Sequence, residues 1–226
     1  MTFKLITFDV YMALVDIQGS LTPVVGEALS IDEETAFDFV KLWRVKQMEC
    51  AALSNSLANG HKSFRECTEL ALDYIIHKKN MNISEIVRKK LVYSWHDLMP
   101  WPEALSVIKE IKLLGYEVAI LSNGDQQMLN KIATKFENAF EHILSAELAQ
   151  NFKPHPSVYE LPITNLGFAK NEILHVAGSP TDVVGARAFG IKCYWSNRSH
   201  DRVIDAAFKA NYEDSDLNGI VKIMGI

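Results

Sequence analysis

Cysteine is scarce in this chain: Cys50, Cys67 and Cys193 stand far apart, with no spacing of the kind that holds a metal. Three scattered thiols exclude a disulfide framework and fit a reducing compartment. Basic tracts are missing too, and the net charge is −5, which argues against a nucleic-acid or anionic-membrane surface. No apolar run is long enough to span a bilayer, and the N-terminal stretch lacks the layout of a signal peptide. Heptads, internal repeats and low-complexity tails are absent as well. What the 226 residues do have is an ordinary globular balance, 48% hydrophobic and 23% charged. That length suits one large domain, or a core with a smaller insertion. The expectation is a cytoplasmic protein with no membrane or nucleic-acid partner.

The run Phe3-Lys4-Leu5-Ile6-Thr7-Phe8 is short, apolar and β-branched, and it stops on Asp9. Such a run reads as a buried strand of a parallel sheet. Beyond Leu14 the pattern turns helical and stays so to about Ser94. Phe37, Val40, Trp43, Met48 and Ala51 recur at helical spacing, then Phe64, Cys67, Leu70, Ala71 and Tyr74, and Ser84 is placed to cap a third helix. From Pro100 the chain alternates. Glu117–Leu121, His142–Ser145, Ile173–Ala177 and Lys192–Trp195 read as strands with helical sequence between them. Repeated β–α–β units mean a parallel sheet with helices on both faces. The fold class is therefore α/β: a Rossmann-like core over 1–15 and 95–226, with an all-helical cap inserted over 16–94.

In such sheets ligands sit outside the carboxyl ends of the strands. Polar residues of a useful kind stand at those ends here. Asp9 follows the first strand, Ser122-Asn123-Gly124 the second, and Asp182 the fourth, while Lys153 lies in an irregular segment before Pro154. Two carboxylates, a lysine and a hydroxyl beside a helix N-terminus, whose N–H groups favour an anion, make a chemical site. For Asp182 the residues leave a second role open, as N-cap of the following helix. His155 and His175 have no partners at ligand spacing and read as structural, and no metal site is expected.

That ordered set resembles the haloacid dehalogenase superfamily, and within it the type II 2-haloacid dehalogenases. Tyr11 stands where the phosphatases of the superfamily have a second Asp. Trp43-Arg44-Val45-Lys46-Gln47-Met48-Glu49 resembles the cap-helix motif that carries the substrate arginine. Leu121-Ser122-Asn123-Gly124, Phe152-Lys153-Pro154 onward to Tyr159, and Gly185–Gly190 with Trp195-Ser196-Asn197-Arg198 match nearly residue for residue. Two places depart. The family continues Gly-Thr after the Tyr where this chain has Met12 and Ala13, and Ser-Ser-Asn where it has Ala177, Gly178 and Ser179.

The resemblance implies hydrolytic removal of halogen from small 2-haloacids, without metal or organic cofactor, in a protein that forms a homodimer. Asp9 is the implied nucleophile, since a carboxylate can displace halide and form an ester. Lys153 would keep Asp9 charged, and Asp182 would orient or activate the water that hydrolyses the ester. Ser122 is implied for the substrate carboxylate, Arg44 and Asn123 for the departing halide, and Tyr11, Tyr159 and Ser179 for the rest of the substrate site, between core and cap. Two alternatives stay open: a magnesium-dependent small-molecule phosphatase using Asp9, and a catalytically weak homologue that binds a small acid.

Overall fold

In the computed structural model, which describes residues 3–57 and 60–224, the chain divides into two units: Met1–Val15 with Pro100–Ile226, and Asp16–Met99. The first is organised on strand β1, Leu5–Phe8, whose residues are all buried. The chain leaves this unit through β2, Val15–Asp16, and returns through β3, Met99–Pro100, a two-residue strand that pairs with β2.

After α5, Ala104–Leu113, comes β4, Glu117–Ser122, which lies parallel to β1 with Leu5 opposite Glu117. Helix α6, Gln126–Ala133, leads to β5, His142–Ser145, on the far side of β4. The chain then crosses over. Helix α7, Pro156–Leu166, is followed by β6, Ile173–Ala177, on the opposite flank of β1 with Leu5 facing Ile173. Helix α8, Pro180–Phe189, and β7, Lys192–Ser196, continue outward to β8, Tyr212–Asp214, and the closing helix α9, Asn218–Met224. The sheet order is β5-β4-β1-β6-β7-β8, all parallel, so the direction of winding reverses at β1. That reversal opens a crevice at the carboxyl ends of β4, β1 and β6.

Local sequence explains these elements. Val118–Leu121 and most of β6 are continuous apolar runs, as strands covered by helices on both faces require. Gly115 takes φ 88° just past α5, a conformation that costs a side chain little only when the side chain is absent. Neither β8 nor α9 was foreseeable from periodicity. Tyr212-Glu213-Asp214 is short and charged, a composition that suits an exposed sheet edge.

The second unit holds α1, Ile17–Leu29, α2, Glu33–Ser56, α3, Phe64–Lys78, and α4, Glu85–Ser94. Ser63 and Glu66 cap α3 reciprocally, and Ser84 Oγ accepts from Val87 N at 3.3 Å to open α4. Trp43 is central: it is fully buried, edge-on to Phe39 at 6.1 Å and to Trp95 at 5.4 Å, and its indole N–H donates to Thr68 O at 2.9 Å. Each such ring pair adds roughly 0.5–1.5 kcal/mol beyond its buried area. Because Trp95 packs there, the return crossing falls at Met99–Pro100 rather than at residue 95.

Phe37, Leu70 and Tyr74, expected on the apolar faces, are 46%, 48% and 43% exposed. The buried stripe of α2 runs instead through Ala36, Phe39, Val40, Trp43, Gln47 and Ala51. Tyr74 is covered from outside by the Lys46 ammonium, 4.6 Å from its ring. No helix among the described residues is long and apolar enough to cross a membrane.

Candidate active site

Asp9 is the first residue beyond β1, and its N–H donates to Val176 O at 2.9 Å, fixing it where β1 meets β6. It is 6% exposed. Its Oδ1 accepts from Ser122 Oγ at 2.9 Å and from Lys153 Nζ at 3.3 Å. Ser122 is the last residue of β4, and its hydroxyl also receives Val10 N at 3.4 Å. The loop after β5 brings Lys153, whose N–H donates to Asn123 Oδ1 at 2.8 Å and whose own peptide bond to Pro154 is cis. The Lys153 ammonium goes on to Asp182 Oδ2 at 3.0 Å. One buried cation thus stands between two buried carboxylates, each of which would be costly to bury unpaired.

Asp182 lies in the first turn of α8 and is buried. It is not the cap of that helix: Ser179 is, accepting from Asp182 N at 3.3 Å, with Pro180 at the first helical position. Tyr159 OH donates to Asp182 Oδ1 at 2.8 Å, while His175 Nε2 and Lys153 Nζ each meet Oδ2 at 3.0 Å. Burial pushes the Asp182 pKa up, but His175, Lys153 and the hydrogen bonds outweigh it and hold the carboxyl well below its usual range. Tyr159 moves the other way. Burial first, then the neighbouring Asp182, raises its phenol well above the ordinary value, so it stays a donor.

The loop after the Asp9 strand is tightly constrained. Met12 takes φ 74°, a left-handed conformation unusual for a side chain of this kind. Trp101 Nε1 donates to Met12 O at 3.0 Å, and Arg198, paired with Glu103, lies 4.2 Å over the Trp101 ring. The loop presses on the β6–α8 turn: a Cβ added at Gly178 would stand 2.2 Å from Ala13 N. Tyr11 is buried against the β4–α6 loop, where a Cβ at Gly124 would meet its hydroxyl at 2.6 Å.

The core therefore gathers Asp9, Ser122, Asn123, Lys153, Tyr159 and Asp182, with Tyr11 and Ser179 on the adjoining loops. Arg44 belongs to α2 of the helical unit, where it donates to Gln47 Oε1 at 2.6 Å and lies 5.9 Å from the Phe64 ring. Gln47 is itself buried and donates to Thr68 Oγ1 at 2.6 Å, so the guanidinium has a fixed neighbour. Two residues escaped the reading of the sequence. His175 reaches Asp182 and Lys153 directly, and its signal was one polar side chain inside the apolar strand Ile173–Ala177. Trp101, which holds the Met12 carbonyl, gave no signal in the sequence.

A family model described as haloacid dehalogenase-like hydrolase matches residues 3–190. The chain is 33% identical over 195 residues to haloacetate dehalogenase H-2 of Moraxella sp. (strain B), covering 85% of each chain. It is 31% identical over 222 residues to the (S)-2-haloacid dehalogenase of Pseudomonas sp. (strain YL), covering 97% of this chain and 94% of that one. Its fold matches the solved L-2-haloacid dehalogenase from Xanthobacter autotrophicus with a TM-score of 0.88, at 24% identity and over 100% of both chains. With the family match spanning most of the sequence and a relative above 30% identity along most of its length, this chain belongs to the haloacid dehalogenase-like hydrolases.

Proposed function

We propose that the protein is a hydrolytic dehalogenase of small 2-haloacids that works through an ester on Asp9. The observation that carries this is the Lys153 ammonium lying 3.3 Å from Asp9 and 3.0 Å from Asp182. This supports a reading in which one carboxylate attacks and the other handles a proton. Asp9 Oδ attacks the carbon bearing the halogen from the side opposite to it. The C–O bond forms as the C–halogen bond breaks, and the halide leaves with the bonding pair, so the centre inverts. Water then adds to the Asp9 carbonyl carbon and gives its proton to Asp182. The tetrahedral intermediate collapses to the Asp9 carboxyl and the 2-hydroxyacid oxygen, which takes the proton held by Asp182. The remaining proton of the water leaves the Asp9 carboxyl for solvent, and both carboxylates return.

The N–H groups of the Asn123–Gly124 loop suit the substrate carboxylate. Ser122, whose single hydroxyl hydrogen goes to Asp9 at 2.9 Å, is assigned to join them by giving up that bond once Asp9 becomes the ester. Arg44, Asn123 and Tyr11 are assigned to the departing halide, where a cation and polar groups stabilise developing negative charge. Tyr159 is buried and its hydroxyl is spent on Asp182, so we assign it to holding Asp182 rather than to the substrate. Ser179 is assigned likewise to the start of α8. The relatives named for haloacid and haloacetate dehalogenation support this substrate class.

The donor set does not suit a phosphatase magnesium site. Hard cations want several carboxylate oxygens. A side chain at Gly178, where the phosphatases carry an acid, would collide with backbone at 2.2 Å, and among the described residues no group of three or more His, Cys, Asp or Glu could hold a metal.

The test is single turnover of a short 2-chloro- or 2-bromoacid in heavy-oxygen water, with and without chelator. We expect halide release unaffected by chelator, a hydroxyacid of opposite configuration, and an unlabelled product with the label left in Asp9. Label in the first product would mean direct attack by water. Magnesium-dependent phosphate release without halide would sink the reading, and binding of small acids with neither reaction would leave a non-catalytic homologue.

A further inference from the structure

His175 sits in the middle of β6, fully buried, in register with Thr7 of β1. Its Nδ1 lies 2.9 Å from Thr7 Oγ1, and its Nε2 lies 3.0 Å from Asp182 Oδ2 and 3.2 Å from Lys153 Nζ. With the 3.0 Å Lys153–Asp182 contact, these atoms form a near-equilateral triangle. Seen from Nζ, Oδ2 and Nε2 are roughly 60° apart, too close in direction for two ammonium hydrogens to serve both well. A hydrogen on Nε2 resolves this, donating to Asp182 and leaving Nδ1 bare to accept the Thr7 hydroxyl. The opposite tautomer would set a bare Nε2 against a carboxylate oxygen at 3.0 Å. The cationic ring is opposed by burial, which lowers the pKa of His175 despite the pull of Asp182, with Lys153 lowering it further. The titratable groups facing the ring are Asp182 from α8, Lys153 from its loop, Tyr159 from α7, Cys193 from β7 and Asp9 from the end of β1.

We propose that His175 is a positioning residue for the second half of the reaction: neutral, protonated on Nε2 and locked by Thr7, it holds the Asp182 carboxylate still while that group takes the proton of the hydrolytic water. This rests on the dehalogenase reading. Lys153 cannot hold Asp182 alone, because it is shared with Asp9, whose charge disappears when the ester forms and returns when it is cleaved. Tyr159 on Oδ1 and His175 on Oδ2 have no such divided role. Between them they stop the carboxylate turning about its own bond through that change.

His175→Phe removes both hydrogen bonds within a ring of similar size. His175→Gln keeps a donor near the Nε2 position. In rapid mixing with a 2-haloacid, the Phe variant should release its first equivalent of halide at close to the wild-type rate. Steady turnover should fall about 10- to 100-fold, with the Asp9 ester accumulating as added mass on the intact protein. The Gln variant should recover part of the loss. Thr7→Val, which keeps the ring but removes the partner of Nδ1, should likewise leave the first halide release close to the wild-type rate and slow steady turnover, and it serves if the Phe variant does not fold. Equal slowing of both phases, or unchanged turnover, would overturn the proposal. Nitrogen-15 spectra of the wild-type imidazole should show a bare Nδ1 and a protonated Nε2 at neutral pH. A protonated Nδ1 would overturn it whatever the halide assay gives. Wild-type protein with the expected nitrogen pattern but no halide release would instead overturn the dehalogenase reading, with the lock on Asp182 standing.

Discussion

Replacing Gly178 by alanine tests whether the nucleophile loop and the β6–α8 turn are one packed unit. The new Cβ would stand 2.2 Å from Ala13 N, 2.5 Å from Met12 C and 2.9 Å from Ala13 Cα, all of them backbone atoms. Ordinary van der Waals contact begins at 3.4 Å, so the two segments must separate by about 1 Å. No change of rotamer can absorb that. The loop is anchored at Asp9 N by Val176 O and at Met12 O by Trp101, so the displacement is passed toward the nucleophile. Overpacking of a fixed interior costs about 1–3 kcal/mol, and a misplacement of about 1 Å at reacting groups costs on the order of 100-fold in rate. Gly178→Ala should therefore lose about 2 kcal/mol in urea unfolding and about two decades of turnover. Gly26→Ala is the control. Its Cβ meets Ile31 O at 3.4 Å inside α1, and it should gain roughly 0.5–1 kcal/mol with unchanged turnover. A Gly178→Ala protein with the wild-type urea midpoint and halide release would refute the packing argument, and with it the reason why a phosphatase acid has no room at this position.

Met12→Gly should stabilise the fold by about 0.5–1 kcal/mol, because the left-handed cost of about 1–2 kcal/mol at φ 74° exceeds the entropy lost with glycine. Destabilisation in urea would show that packing of the Met12 side chain outweighs the strain. Arg44→Lys should cut turnover at least about tenfold, since an ammonium point charge does not reproduce the planar fork; an unchanged rate would remove Arg44 from the halide site. On acidification, both His175 and Asp182 have folded pKa values below their unfolded ones. Below about pH 6.5 the unfolded state takes a proton on His175 that the folded state refuses, so stability falls with pH from there, and the Asp182 contribution is lost only below about pH 4. Urea midpoints between pH 7 and 5 should thus drop less for His175→Gln than for the wild type, and parallel curves would show that His175 titrates alike in both states.

The parts of the site legible in the sequence are those carried by strand ends. Leu5–Phe8, Glu117–Ser122 and Ile173–Ala177 announce themselves as buried strands, and the α/β winding then brings Asp9, Ser122 and the loop before Asp182 to one edge. What stayed hidden depends on register and close approach. His175 meets Thr7 across 168 positions, a partnership fixed by β1–β6 pairing. The need for glycine at 178 comes from the backbone of residues 12 and 13, which no local pattern reports. The cap of α8 is legible in the chain as Ser179-Pro180, a hydroxyl just before a proline at the first helical position, and Asp182, three residues on, lies inside the first turn. The assignment of Arg44 to the proposed halide site rests on its motif alone, since half-buried arginines on amphipathic helices are common.

A carboxylate held as far down as Asp182 looks a poor choice for the base of the proposed reaction, and the charges around Lys153 answer that objection. At rest two carboxylates lie 3.3 and 3.0 Å from one ammonium, and with Asp9 ionised, as its proposed attack requires, the three groups together carry one excess negative charge. On the proposed reaction, ester formation removes that excess with the halide and leaves Asp182 and Lys153 as a balanced pair. When water adds, its proton moves to Asp182 while negative charge grows on the former Asp9 oxygen, on the other side of the same ammonium. Charge is transferred across Lys153 rather than created in a low-dielectric interior, where a new isolated charge would be costly. The relevant comparison for Asp182 is therefore the adjacent oxyanion, which Lys153 stabilises from a similar distance, and not a base in bulk water. That exchange works only if the distances on both sides of Lys153 stay nearly equal throughout. On the proposed reaction, this is what the two donors to Asp182 that take no part in it, Tyr159 and His175, supply.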